Sequence, residues 1–385
     1  MTRILVPSAS YTFTDHLLSS EGISCYKILQ NLKRFNYHFE AISALVRVEK
    51  PLENATVHQM GHMEFLPTAN PIDKYMSHVE FMIRSYQKST QILKDQEIDI
   101  IHHMLPAVYD QTFSLLAILG KTKKPPFVFG PLSVHMYPRP FDERISLKLT
   151  SQLHRKTIQK CDRLVTITNQ VKKIYSDFFD EEKIWVIPLG VDIELFKPSN
   201  AYTQKENPEL LFVGYLYKLK GIEFLIKAIP TAMEKYKNIR LRIIGNGPDR
   251  LRLQKLAETL KISKNVTFEG FVPHTEMPKY YQQCDIFCFP TLGEPFGKAL
   301  IEAMACAKAV VASDVGGPAE IIESRKTGIL VEPGRSELLA DEILNLLNDE
   351  KRMKTIGANA RKVVTQKYSW ERIAGIYHQL YSELL

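Results

Sequence analysis

Residues 286–322 read IFCFPTLGEPFGKALIEAMACAKAVVASDVGGPAEII. The first four are apolar and favour extended backbone, and Pro290, Gly293 and Pro295 break the run. Residues 297–305 then carry small and aliphatic side chains at helical spacing, and 309–313 return to extended character. A strand, a helix-length segment and a second strand in so short a span form the repeating unit of a parallel sheet covered by helices.

The same alternation runs outward in both directions. In the C-terminal half further strands are expected at 209–213, 240–244, 266–269 and 328–331, and in the N-terminal half at 3–7, 38–43, 98–103, 127–130 and 163–168. Between the two sets, residues 187–209 collect Pro, Asn and Gly and lose periodicity, as a linker does. The expected class is α/β, with two Rossmann-like β/α/β domains, 1–197 and 198–367, facing a central cleft. Trp370, Ile373, Tyr377, Leu380 and Leu384 share one face of a final helix, 368–385, which needs an apolar surface to pack on.

Composition narrows the function classes. A chain of 385 residues exceeds what one core supports, and its 45% hydrophobic and 24% charged content is that of an ordinary soluble globular protein. The net charge of +7 is spread over both halves and gives no reason to expect a nucleic-acid partner. The five cysteines, Cys25, Cys161, Cys284, Cys288 and Cys306, fit neither a disulfide framework nor a zinc pattern. The first residues, MTRILVPSAS, lack a secretory apolar core, and the longest apolar stretch, 113–120, is far short of the ~20 residues that span a bilayer. A cytoplasmic location is expected.

Open parallel sheets bind ligands beyond the carboxyl ends of their strands, so the loops after strands are where chemistry is sought. After 209–213 comes GYLYKLKG, where Gly214 ends the strand and Lys220 precedes Gly221 and an amphipathic helix. One cation beside a helix N-terminus suits a diphosphate, although an ordinary turn with a surface lysine would read the same. The loop IIGNGPDR, 243–250, lacks the third glycine of a dinucleotide fingerprint and is read as a tight turn. In the 290–322 stretch the N–H groups of Phe296, Gly297 and Lys298 are expected in the first turn of a helix, a site for phosphate oxygens. Glu294 precedes that turn and Glu302 lies eight residues further on, about 12 Å along the axis if helical geometry is continued back. A carboxylate can clamp two neighbouring hydroxyls, so Glu302 suits a ribose and Glu294 a sugar, unless both are solvated helix residues. No D-x-D motif or histidine–carboxylate cluster with ligand spacing is present, so neither metal nor cofactor is expected.

These segments resemble a known family. EPFGKALIEAMACAKAVVASDVGGPAEII is similar to the donor-binding signature of retaining GT-B glycosyltransferases of family 4, and IPLGVDIELFKP, FVGYLYKLKG, IIGNGP and VTFEGFVP follow in that family's order and spacing. The match covers nearly all of 160–385. The resemblance implies that Glu294 contacts the donor sugar, that Glu302 holds the ribose, that Lys220 contacts the diphosphate, and that the Trp370 helix crosses back onto the N-terminal domain. Tyr215 stands where the family usually has an arginine. A phenol cannot neutralise a departing diphosphate, so either Lys218 substitutes or leaving-group stabilisation is weaker.

The N-terminal half is the acceptor side in this family. SSEGISCYKILQNL, 19–32, resembles the glycine loop that closes over the donor phosphates, with Gly22 matching the second glycine and Glu21 in place of the first. IIHHMLPA, 100–107, ends a strand with adjacent histidines, and either His102 or His103 corresponds to the histidine near the donor sugar in relatives. Arg144, Lys148, Arg155, Lys156, Lys160, Arg163, Lys172 and Lys173 form a basic stretch that could rest on the inner face of a membrane or simply be solvated. The expected function is metal-independent transfer, with retention, of a hexose or N-acetylhexosamine from a UDP- or GDP-sugar to a glycan, lipid-linked or small-molecule acceptor. A partner subunit that binds nucleotide sugar without turnover, and a nucleotide-sugar epimerase, are the alternatives.

Overall fold

The computed structural model describes residues 1–16, 20–61, 71–104, 112–120, 125–133, 141–199 and 207–385. The chain forms two compact units, Met1–Leu189 together with Trp370–Leu385, and Gly190–Ser369. Elements of the first are β1 (Thr2–Thr14), α1 (Ser20–Leu32), β2 (Tyr37–Arg47), β3 (Ala55–Gln59), α2 (Pro71–Asp95), β4 (Ile100–His103) and α3 (Leu115–Leu119). They continue with β5 (Phe127–Leu132), α4 (Phe141–Ile158), β6 (Arg163–Thr166), α5 (Asn169–Ser176) and β7 (Ile184–Val186). The second unit holds β8 (Glu209–Val213), α6 (Ile222–Lys235), β9 (Arg240–Ile244), α7 (Arg250–Thr259), β10 (Val266–Gly270), α8 (Met277–Gln283) and β11 (Ile286–Phe289). It continues with α9 (Lys298–Ala305), β12 (Ala309–Ser313), α10 (Gly316–Ile321), β13 (Ile329–Val331), α11 (Ser336–Asn348) and α12 (Glu350–Lys367), and the chain ends in α13 (Trp370–Ser382).

Both sheets are parallel, in the orders β3-β2-β1-β4-β5-β6-β7 and β10-β9-β8-β11-β12-β13. The order of strands reverses on either side of β1 and β8, so each sheet has a crevice between β1 and β4 or between β8 and β11. The central strands are largely buried because helices cover both faces. All residues of β11 and β12 are buried, and Leu225, Ile226 and Ile229 of α6 meet Leu210 and Phe212 of β8 in one core.

Two strands escaped the sequence pattern. β3 is a half-exposed edge strand without an apolar run, and β7 is apolar, Ile-Trp-Val, but has only three residues, shorter than an ordinary strand. β1 also runs on from the expected 3–7 to Thr14, through a polar segment whose Ser8, Ser10 and Thr14 are fully buried. The expected linker is tighter than its composition suggests. Val191 pairs with Ser369, Phe196 is buried, and Arg361 donates from Nη2 to the Ile193 carbonyl at 3.0 Å and from Nη1 to those of Phe196 at 2.7 Å and Ala305 at 2.9 Å. The chain passes between units at 189/190 and 369/370 rather than near 200.

Trp370, Ile373, Ala374, Tyr377, Leu380 and Tyr381 of α13 are buried in one core with Cys25, Tyr26, Leu29 and Leu32 of α1. Arg34 pairs with Glu371, and Tyr37 Oη and His378 Nδ1 lie 2.8 Å apart, so polar contacts fix the helix at its rim. Among the described residues no helix is long and apolar enough to cross a membrane. Of the basic stretch in the first unit, Arg155, Lys156, Lys160 and Lys173 are exposed, and the side chains of Arg144 and Lys148 lie outside the description.

Candidate functional site

The crevice between β8 and β11 collects the residues on which the sequence places most weight. Lys220 closes a short 3-10 turn after β8, and Glu294 lies in the loop after β11. Their side chains form an ion pair, with 16% of Lys220 and 13% of Glu294 exposed. Lys220 Nζ also sits 5.9 Å from the Tyr217 ring centroid and 5.7 Å from that of Phe289, so aromatic faces wall the cation. A pair this sheltered gains more from its Coulomb attraction than a surface pair, and it exposes its partners to any anion that competes for the lysine.

Glycines let the loops around this pair interlock. Gly221 has φ +64°, and a Cβ there would lie 1.8 Å from the Pro290 carbonyl oxygen. The Leu292 N–H donates to the Leu219 carbonyl at 2.8 Å, and Thr291 Oγ1 donates to the same oxygen at 3.0 Å. Gly214 donates its N–H to Ile244, and its carbonyl oxygen lies 2.0 Å from where a Cβ of Gly245 would stand. The Glu294 carbonyl accepts from Gly317 N–H at 2.8 Å and likewise excludes a Cβ at Gly316. Backbone touches backbone at each step, which fixes Lys220 against Glu294.

Two expectations need correction here. Glu294 precedes the helix, as expected, but α9 begins only at Lys298, and Gly297, with φ +110°, is its N-cap residue. The estimate of 12 Å along a shared helix axis therefore does not apply. Phe296 contributes no first-turn N–H, being in the loop before the cap, and its ring is buried edge-on to Tyr368, with centroids 6.0 Å apart. The N-cap residue Gly297 has no side chain to cap α9, and the positive end of the helix dipole lies at Gly297 and Lys298.

Glu302 is on α9 and is not solvated, since only 6% of it is exposed. Its Oε2 accepts from Tyr281 Oη at 2.9 Å, and its Oε1 lies 2.9 Å from His274 Nε2. Burial first, and the Glu302 charge second, push the Tyr281 phenol well above its ordinary range, so it stays a donor. Neither partner was singled out in the sequence. His274 lies just past VTFEGFVP, where the loop-after-strand rule points, but Tyr281 is inside α8 and carries no local signal. Tyr215 is 60% exposed and 5.6 Å from the Tyr217 ring, and Lys218 is also exposed.

In the first unit the two histidines of β4 part company. His102 has both nitrogens engaged: Nε2 donates to the Gly130 carbonyl at 2.9 Å, so Nδ1 accepts from Tyr381 Oη at 2.6 Å. Burial lowers its pKa to about 3, and it remains neutral. His102 is therefore an anchor for α13, with no nitrogen left for a substrate. His103 points to the opposite face of the sheet, as neighbours in a strand do, and packs edge-on to Phe129 at 5.3 Å. Glu21 falls in the first turn of α1, where the helix dipole favours a carboxylate, and Gly22 is buried. The loop residues before them, 17–19, are outside the description. Among the described residues no group of three or more His, Cys, Asp or Glu could hold a metal ion.

Comparison with known proteins agrees with this geometry. The family model for glycosyl transferases group 1 matches residues 195–363, and that for glycosyltransferase family 4 matches 31–195. An uncharacterized glycosyltransferase of Methanocaldococcus jannaschii is 28% identical over 96% of this chain and 95% of its own length. A GDP-mannose-dependent alpha-(1-6)-phosphatidylinositol monomannoside mannosyltransferase of Mycobacterium tuberculosis is 32% identical over 49% of this chain and 53% of that protein. Among solved structures, Anabaena HepE in complex with UDP has a TM-score of 0.73 at 19% identity, with all of both chains covered. Two parallel Rossmann-like sheets, two adjoining family matches and a full-length relative make the chain a member of the GT-B glycosyltransferases.

Proposed function

We propose that this glycosyltransferase moves a hexose or N-acetylhexosamine from a UDP- or GDP-sugar to a glycan, lipid-linked or small-molecule acceptor, with retention and without a metal. The observation that carries the reading is the Lys220–Glu294 pair at the crevice where the second sheet reverses, in the loops that lead to the N-terminal end of α9. In this reading Lys220 and the N-terminal end of α9 take the diphosphate, Glu294 the sugar hydroxyls and Glu302 the ribose. The second unit is the donor domain. The first, with His103, Glu21 and Gly22, is the acceptor side, and peripheral contact with a membrane would bring a lipid-linked acceptor to it. The two bases follow relatives: the mycobacterial mannosyltransferase is GDP-mannose-dependent, and the Anabaena protein binds UDP.

Retention by this residue set is a same-face substitution. The bond from the anomeric carbon to the leaving phosphate oxygen breaks, the acceptor oxygen bonds to the same face, and the acceptor's proton passes to the leaving phosphate. The protein's work is to stabilise the charge that builds on that phosphate, where one well-placed donor is worth roughly 3–4 kcal/mol.

Nucleotide class is read by melting. At a hundredfold excess over Kd one base class should raise the melting temperature by about 5–10 °C, and Glu302→Ala should remove most of that rise. No response to UDP, GDP or their sugars would overturn the donor assignment. Transfer should continue unchanged after exhaustive treatment with EDTA, whereas a rate restored only by manganese or magnesium would overturn the metal-free mechanism. Product anomers that differ from the donor's by NMR would overturn retention. Tyr215, in place of a cation, favours a second reading as a nucleotide-binding partner subunit. That reading predicts a melting response with neither transfer nor donor hydrolysis.

A further inference from the structure

We infer that His274 and Tyr281 are positioning residues that aim the two remaining acceptor sites of Glu302 at the ribose diol of the donor. The inference rests on the reading of Glu302 as the ribose ligand and deepens it.

A carboxylate that is more than nine-tenths buried needs donors, and it offers about four acceptor sites, two on each oxygen. Here the donors are divided evenly. Tyr281, from α8, takes one site on Oε2, and His274, from the loop after β10, takes one on Oε1. One site is left on each oxygen, so the unfilled pair matches two hydroxyls on neighbouring carbons. Were both protein donors on one oxygen, the two sites left would fall on the other, and the diol would have to be bound through a single atom.

Both donors are fixed by one ring. Phe196 stands edge-on to His274, with centroids 5.1 Å apart, and to Tyr281 at 5.8 Å. Phe196 is itself buried and tied through its carbonyl to Arg361. His274 must donate from Nε2, because a carboxylate only accepts. The two donors differ in access: Tyr281 is fully buried, whereas the His274 side chain is 28% exposed. A change at His274 can therefore be made with little loss of core.

The test compares two probes, the nucleoside diphosphate of the base class that raises the melting temperature and its 2′,3′-dideoxy analogue, by calorimetric titration. The wild type should prefer the ribose form by roughly tenfold or more, as hydrogen bonds to a charged group allow. His274→Ala should cut that preference several-fold, His274→Gln, which keeps an N–H donor, should restore much of it, and Tyr281→Phe should reduce it as His274→Ala does. A merely structural loss would weaken both probes alike and leave the ratio unmoved. In transfer assays the donor KM should rise in His274→Ala while kcat changes little. An unchanged ratio in both His274→Ala and Tyr281→Phe, with Glu302→Ala abolishing the preference, would overturn the positioning role and leave the ribose reading standing. A wild type that binds both probes equally would overturn the ribose reading and the inference with it.

Discussion

Glu294→Gln is expected to slow transfer by two to three orders of magnitude and, at the same time, to bind nucleoside diphosphate about tenfold more tightly than the wild type. The loss follows from the proposed contact between Glu294 and the donor sugar, which an uncharged amide would hold less strongly as positive charge develops at the anomeric carbon. The gain follows from the ion pair. In the absence of donor, Lys220 faces the Glu294 carboxylate, so an incoming diphosphate must compete for that ammonium and also meets a like charge beside it. Glutamine keeps the size of the side chain and removes both obstacles. Calorimetric titration with UDP or GDP, alongside initial rates, separates the two effects. A variant with wild-type rates would remove Glu294 from the mechanism, and one that binds the diphosphate more weakly would mean that the carboxylate helps Lys220 rather than holds it in check.

The sheets were legible because buried parallel strands are short apolar runs. Those at 209–213, 240–244, 286–289 and 309–313 coincide with β8, β9, β11 and β12. Edge strands β3 and β7 were not legible, β3 because a strand half exposed to water has no such run and β7 because its apolar run of three residues is too short to stand out. Within the site, residue types and chain order were readable, but directions were not. Gly297 at φ +110° resets the chain between Glu294 and α9, and no periodicity argument can place two residues across such a reset. The partners of Glu302 come from two other elements, and the burial of His102 depends on Tyr381, 279 positions away. Long-range pairings of this kind are made by the fold and leave no local pattern.

Gly221→Ala is expected to lower the stability of the second unit by about 3–5 kcal/mol, and its melting temperature by roughly 10 °C. Two costs add. An alanine at φ +64° is in a left-handed conformation that costs about 1–2 kcal/mol, and its Cβ would lie 1.8 Å from the Pro290 carbonyl oxygen, so the loops after β8 and β11 must part. Parting them moves Lys220 away from Glu294, so transfer should fall further than the melting temperature alone explains. The control is the same chemical change at Gly375 in α13. There φ is ordinary and the nearest atom to a new Cβ is the guanidinium nitrogen of Arg34 at 4.0 Å. An alanine inside a helix is favoured by about 0.5–1 kcal/mol over glycine, so Gly375→Ala should melt at or above the wild type, with unchanged transfer. If both variants melted alike, the interlocked loops would not be what fixes the Lys220–Glu294 pair. Opposite signs for one substitution at two sites would tie the donor crevice to the backbone contacts that only glycine permits.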